Sequence, residues 1–143
     1  MSIEIKFIAG FAVITKQPDA SASLYRETLG LPLERYEMTG YHFMDKFPGA
    51  HHFGVWPLEM VAQSCFGQDE WPTSILEPTA NIDLELANAK AVESAVQEMQ
   101  AKGQDFIHGA RMEPWGQTTA RFISPEGVLI SFSYAPWLHD KDA

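Results

Sequence analysis

Cys65 is the only cysteine in the chain. No internal disulfide can form, and such sparse usage suits a reducing compartment, so the cytoplasm is the expected location. No apolar run approaches the roughly 20 residues that a membrane span requires. The N-terminus lacks a basic region followed by an apolar core, which predicts no secretory signal. Cationic side chains are also scarce. Ten Lys and Arg against nineteen Asp and Glu leave a formal charge of −9. That balance argues against nucleic acid as a partner, because phosphate backbones are met by clustered Lys and Arg. The acidity serves either general solvation or a pocket that attracts a cationic ligand. What the chain does have is apolar content: 45% of its 143 residues, ample for one domain with a real core.

Residues 7–14 form an apolar run of strand length, rich in β-branched and aromatic side chains, the pattern of a buried strand. Pro18 and Asp19 open a helix, since proline is tolerated in a first turn and an acidic residue favours the positive helix end. Ala22, Tyr25 and Leu29 recur at helical spacing, and Gly30 suits the cap. Residues 33–38, 41–45 and 52–58 read as three strands, separated by Gly40 and by Pro48-Gly49. The pattern weakens over 59–77, where Met60-Val61-Ala62 suggests a short helical turn ahead of a linker at about 67–79.

The same grammar then returns. Residues 81–87 alternate as a half-exposed strand should, and 90–102 place Val92, Ala95, Val96 and Met99 on one helical stripe closed by Gly103. Residues 105–108 answer 33–36 in placement, and 118–124 with 128–134 make a hairpin about Pro125 and Gly127. Each half thus reads strand, helix, three strands. The expected fold is α+β: two βαβββ modules, about 5–66 and 80–135, in a single domain spanning 1–143 with a tail at 136–143. One such unit cannot bury both its helix stripe and its sheet face, which explains the pair.

Three segments carry a family resemblance: Pro18-Asp19-Ala20; Leu24-Tyr25-Arg26 with Leu29-Gly30-Leu31; and Trp115-Gly116-Gln117 through Ser124-Pro125-Glu126-Gly127. The chain resembles the vicinal oxygen chelate superfamily of glyoxalase I, bleomycin-resistance proteins, fosfomycin-resistance enzymes and extradiol dioxygenases, over about residues 7–134. The resemblance implies a cupped mixed sheet with helices packed outside, enclosing a cavity, and a homodimer. In metal-dependent members the ligands, usually His and Glu, come from the first and last strand of each module. Carried over one by one, these positions fall near Ile8 or Gly10, within 53–56 just after His51 and His52, near Asn81, and on Ser131. A catalytic divalent site generally needs about three convergent side-chain ligands. Most of these positions are apolar, amide or hydroxyl, so neither a metal nor another cofactor is expected. A relocated site using His51, His52 and Glu59 is the alternative.

Strand alternation places Asn81, Asp83 and Glu85 on the cavity face, with Ile82, Leu84 and Leu86 beneath the helix. On the last strand, Leu129, Ser131 and Ser133 would face the cavity and Ile130, Phe132 and Tyr134 the core. Asp83 and Glu85 read either as a solvated strand face or as carboxylates that favour a cationic or hydrogen-bond-donating ligand. Trp115, in a loop with Glu113 and Gln117, suits stacking on a ligand. Trp56, within a strand, suits core packing as well, and Trp137 suits the surface or a subunit interface. His52 is placed to orient a ligand or act as a base. The expected ligand-binding residues are therefore His52, Trp56, Asn81, Asp83, Glu85, Glu113, Trp115, Gln117 and Ser131, with no catalytic residue assigned. The leading expectation is a metal-free small-molecule-binding protein for a cationic or aromatic compound. The alternative is a lyase, isomerase or dioxygenase-type enzyme with a relocated metal or an acid–base pair such as His52 with Glu85 or Glu113.

Overall fold

The apolar run near the N-terminus becomes β1 (Phe7–Thr15), at the centre of one eight-stranded mixed sheet. The computed structural model describes residues 3–36 and 39–139. After β1, α1 (Pro18–Ser23) runs into a wider π-helical turn over Leu24–Thr28, closed by the Leu29 amide on the Leu24 carbonyl at 3.0 Å. Gly30, at φ +76°, ends it as expected. Next come β2 (Glu34–Arg35), β3 (His42–Met44) and β4 (Phe53–Pro57). The expected strand at 33–38 thus shortens to two paired residues, and its last two positions lie outside the described residues.

Two elements differ from the sequence reading. Residues 58–66 form a full helix, α2 (Leu58–Phe66), rather than a short turn. It starts directly at the end of β4, buries Val61, Ala62 and Cys65, and stops at left-handed Gly67. The segment after it is held down by buried Trp71, whose indole N–H donates to the Ile75 carbonyl at 3.0 Å. The second module supplies β5 (Ala80–Glu85) and α3 (Ala89–Ala101), whose Asn88 cap accepts from the Ala91 amide at 2.8 Å. The next strand, β6 (His108–Met112), starts at the residue where 105–108 was expected to end. The reason is Phe106, which turns into the outer core with its ring 5.0 Å from that of Phe122. The chain therefore meets the sheet only from Ile107, whose amide bonds the Arg121 carbonyl. β7 (Thr118–Ile123) and β8 (Leu129–Tyr134) close the module around Gly127 at φ +94°.

The strand order is β2-β3-β4-β1-β5-β8-β7-β6. Within each half the first and last strands pair in parallel, β1 with β4 and β5 with β8. The halves join within one chain through the antiparallel pair β1–β5. Tyr25, in the π-helical turn that follows α1, packs on Leu33, Phe53 and Val55, and α3 covers Phe122, Phe132 and Leu84, so both helical segments lie against the same outer face. α2 packs on the opposite face against Ile14, Leu129 and Ile123. The sheet curls about that inner face. The Arg121 guanidinium of β7 lies 5.8 Å from the Trp56 ring of β4, although three strands separate their own strands. Side chains standing roughly perpendicular to a flat sheet with strands about 4.8 Å apart would not meet across that span.

Candidate functional site

Strand register fixes which side chains share the inner face. Gly10, Asp83 and Ser131 lie opposite one another on β1, β5 and β8, and Ala12, Asn81 and Leu129 form the next row. The alternation expected for β5 and β8 holds: Ile130, Phe132 and Tyr134 join the outer core with Leu84, while Leu129 joins the inner cluster. Ser131 donates from its hydroxyl to Asn81 Oδ1 at 3.1 Å, and Asn81 donates from Nδ2 to Asp83 Oδ1 at 3.0 Å. Asp83, half-buried, forms no ion pair among the described residues.

The other carboxylates are already engaged. Glu85 is fully buried, and its Oε2 accepts from the Ala135 amide at 2.5 Å and lies 2.8 Å from His139 Nε2. Glu113 Oε2 accepts from Arg121 Nη1 at 2.9 Å and from the Thr119 hydroxyl at 2.6 Å. Arg121 is 3% exposed, and its Nη1 also donates to His108 Nε2 at 3.1 Å. Burial, with Arg121 and Arg111 nearby, pushes His108 down to about 4. Its neutral ring therefore donates from Nδ1 to the Gly109 carbonyl at 2.7 Å and accepts from the guanidinium. Gln117 bridges the loop to the sheet, accepting from the Trp115 indole at 2.7 Å and donating to the Ser133 hydroxyl at 2.7 Å. Trp115 itself stands at the rim, half of its surface open.

On the opposite wing, aromatic rings cover the floor. Tyr41 and Phe43 stack at 5.9 Å, each lies 6.0 Å from the His52 ring, and Trp56 meets Tyr41 edge-on at 6.5 Å. Two glycines make room for them. A Cβ on Gly54 would sit 2.5 Å from the Tyr41 hydroxyl, and one on Gly10 would sit 2.5 Å from the His52 carbonyl oxygen. His52 is held from both sides: Nδ1 lies 2.5 Å from Asp45 Oδ1, and Nε2 meets the Tyr41 hydroxyl. The two contacts fix the orientation of the imidazole between Asp45 and Tyr41. Burial, then the charges of Asp83 and Asp45, raise Tyr41 well above the ordinary phenol range.

Eight of the nine residues singled out from sequence fall into four groups: Asn81, Asp83 and Ser131 on the floor; Trp56 and His52 with the aromatic wing; Glu113 with Arg121; and Trp115 with Gln117 at the rim. Glu85 belongs to a fastening of the C-terminal segment. His52 takes Asp45 and Tyr41 as its partners, rather than Glu85 or Glu113. Sequence reasoning passed over Asp45, Tyr41 and Arg121. Arg121 was discoverable, since it shares a strand face with Thr119 opposite Ser131 and Ser133.

The donors that a metal centre would need do not fit here. The inherited positions present Gly10, Gly54 or its neighbours, Asn81 and Ser131, and the Asn81 and Ser131 side chains already bond one another. Among the described residues no three His, Cys, Asp or Glu side chains come together, so His51, His52 and Glu59 form no relocated set. A surface groove of about 750 Å³ lies elsewhere, between the N-terminal segment and α3, lined by Glu4, Asn88, Lys90, Glu98 and Lys102. It gathers no converging polar set, whereas the inner face does.

The family model described as Glyoxalase/Bleomycin resistance protein/Dioxygenase superfamily matches residues 7–132. A superfamily member of this description from Vibrio splendidus 12B01 superposes with a TM-score of 0.61 at 12% identity, covering 90% of this chain and 100% of that one. The Mn(II)-bound glyoxalase from Novosphingobium aromaticivorans gives 0.54 at 20% identity, over 92% of this chain and 38% of its own. The 2,2',3-trihydroxybiphenyl 1,2-dioxygenase from Sphingomonas wittichii strain RW1 gives 0.58 at 14% identity, over 90% and 42%. At these identities the likeness establishes the fold alone, and the chain spans about two-fifths of the last two proteins. The sequence matches no curated protein. With the sheet order, the paired modules and a match across most of its length, the chain belongs to the glyoxalase/bleomycin resistance protein/dioxygenase superfamily.

Proposed function

We propose that this protein is a metal-free member of its superfamily that binds a small cationic or aromatic molecule on the inner face of the sheet. The observation that carries the reading is Asp83. It is the floor carboxylate left without a cationic partner among the described residues, and Tyr41, Phe43 and Trp56 offer rings on the wing across from it. A carboxylate in a partly dry cup beside aromatic faces favours a cation with an apolar body. The donor set at the inherited positions supports the metal-free part. Further parts of the same proposal are a cytoplasmic homodimer. Buried, free Cys65 fits a reducing compartment, and Ile8 and Phe11, exposed on β1, fit a covered face.

Titration of tryptophan fluorescence and thermal unfolding with berberine and phenyltrimethylammonium tests the binding reading. We expect saturable quenching and a raised Tm, and about tenfold weaker binding for Asp83→Asn. No response to either compound sinks it. Elemental analysis of the purified protein tests the rest, and stoichiometric Mn, Fe, Ni or Zn would overturn the metal-free part. A second reading, an isomerase working by acid–base chemistry, is favoured by one observation: the Asp45–His52–Tyr41 chain.

A further inference from the structure

Glu85 follows Asp83 on the inner face of β5, and it pairs in register with Phe7 of β1 and Ser133 of β8. Residues i and i+2 of a strand stand about 7 Å apart, so the two carboxylates lie side by side along the floor. Their partners differ. Asp83 accepts from Asn81 alone among the described residues. Glu85 has a basic side chain against it, His139, with Nε2 at 2.8 Å. Its Oε2 takes both His139 and the Ala135 amide, while Oε1, equally buried, has no partner among the described residues. A buried carboxylate oxygen left unpaired is costly, and it marks a spare acceptor at this point of the floor.

The segment that delivers His139 is lightly held. The turn Pro136–Leu138 closes on itself, with the Leu138 amide on the Ala135 carbonyl at 2.9 Å and the His139 amide on the Pro136 carbonyl at 3.2 Å. Among the described residues, the His139 side chain makes the one polar contact between 136–139 and the sheet. Its ring otherwise rests against Phe7 at 5.7 Å and Tyr134 at 5.0 Å. The Ala135 amide can keep its bond to Oε2 while the residues after it swing away. A short segment with so few anchors opens at small cost compared with unfolding the sheet.

We infer that Glu85 is a second cation-recognition point of the inner face, that His139 occupies it as an internal competitor, and that Asp83 and Glu85 together select a ligand with two cationic groups on a small apolar body. The inference rests on the inner face being the ligand site. One ammonium group sits on Asp83, and the other takes the place of His139 on Glu85, where Oε1 becomes a partner as well as Oε2. Phe7, whose ring also lies 4.8 Å from that of His51, borders the ligand's body on the side of the aromatic wing. A ligand with a single cationic group gains nothing from Glu85 and leaves His139 where it is.

The probes are p-xylylenediamine and benzylamine, which share a ring and differ by one aminomethyl group. Both are titrated by tryptophan fluorescence, with Tm measured in parallel. We expect the diamine to bind about tenfold tighter or more. Glu85→Gln should bring the diamine down to the level of benzylamine. His139→Ala should lower the Tm of the free protein and yet tighten the diamine about fivefold, because the internal competitor is gone. A purely structural His139 lowers Tm and leaves the affinity unmoved, a result that overturns the competition. Equal affinities for the two amines overturn the second recognition point. Failure of both amines beside saturable binding of phenyltrimethylammonium overturns this inference and leaves the binding reading standing, whereas failure of all three compounds counts against that reading as well.

Discussion

Glu85 Oε2 lies 2.8 Å from His139 Nε2 across fifty-four positions of sequence, with the carboxylate fully buried. The same oxygen takes the Ala135 amide, so one side chain fastens the chain after β8 back onto β5. Glu85→Ala should leave that amide unpaired and cost about 2–4 kcal/mol, whereas Glu85→Gln, which keeps an acceptor, should cost about half as much. Urea unfolding of both variants decides this. Equal losses would show that the charge rather than the acceptor matters.

Glu113 and Arg121 should behave as a unit. Glu113→Ala leaves a guanidinium buried beside a neutral imidazole, which should cost about 3–5 kcal/mol. Replacing both, as Glu113→Leu with Arg121→Met, should cost clearly less than the sum of the single changes. A double-mutant cycle by chemical unfolding measures the coupling, and simple additivity would refute it.

The two floor glycines predict different rescues. Gly54→Ala should destabilise by about 1–3 kcal/mol because its methyl meets the Tyr41 ring and hydroxyl, and Tyr41→Ala should remove most of that penalty. At Gly10 the obstacle is the backbone carbonyl of His52, so no side-chain truncation should relieve Gly10→Ala. Thermal shift on the four variants checks the contrast.

His108 sets a pH dependence. Its folded value is depressed from the ordinary 6.5 to about 4, so below about 6.5 the unfolded chain binds a proton that the folded chain refuses. Stability from this group is whole above 6.5 and is lost as pH falls toward 4. Discounted for the ring's partial exposure, the loss is about 1–2 kcal/mol. Urea midpoints at pH 7 and pH 4.5 should differ less for His108→Gln than for the unaltered protein. An identical pH response in both would refute the assignment.

Cys65 should be inert. Burial pushes its thiol up to about 11, so it should resist iodoacetamide at pH 8 in the folded protein and react fully in urea.

The strand faces of β5 and β8 were legible because apolar and polar residues alternate there against a single helix. α2 was not, because its buried stripe is only Val61, Ala62 and Cys65, small side chains with little contrast, and it begins without a break after β4. Nor was the His52 chain. Asp45 and Tyr41 reach His52 through strand pairing and two absent side chains, and a missing Cβ leaves no hydropathy signal. Gly10 and Gly54 inside apolar strands were the available clue, since interior glycine marks close approach. Arg121 drew no notice within Thr-Thr-Ala-Arg-Phe-Ile, because burial of a guanidinium depends on what curls over it.

The antiparallel pair at the centre of the sheet joins Ala12 to Asn81, so the middle of the molecule is assembled from segments far apart in the chain. Such pairings are slow to find and cannot form until β5 has been made. As the chain emerges, the floor that carries Gly10, Asp83 and Ser131 is therefore the part whose assembly must wait for both halves. Any ligand that seats there can bind only after the most distant contacts have closed.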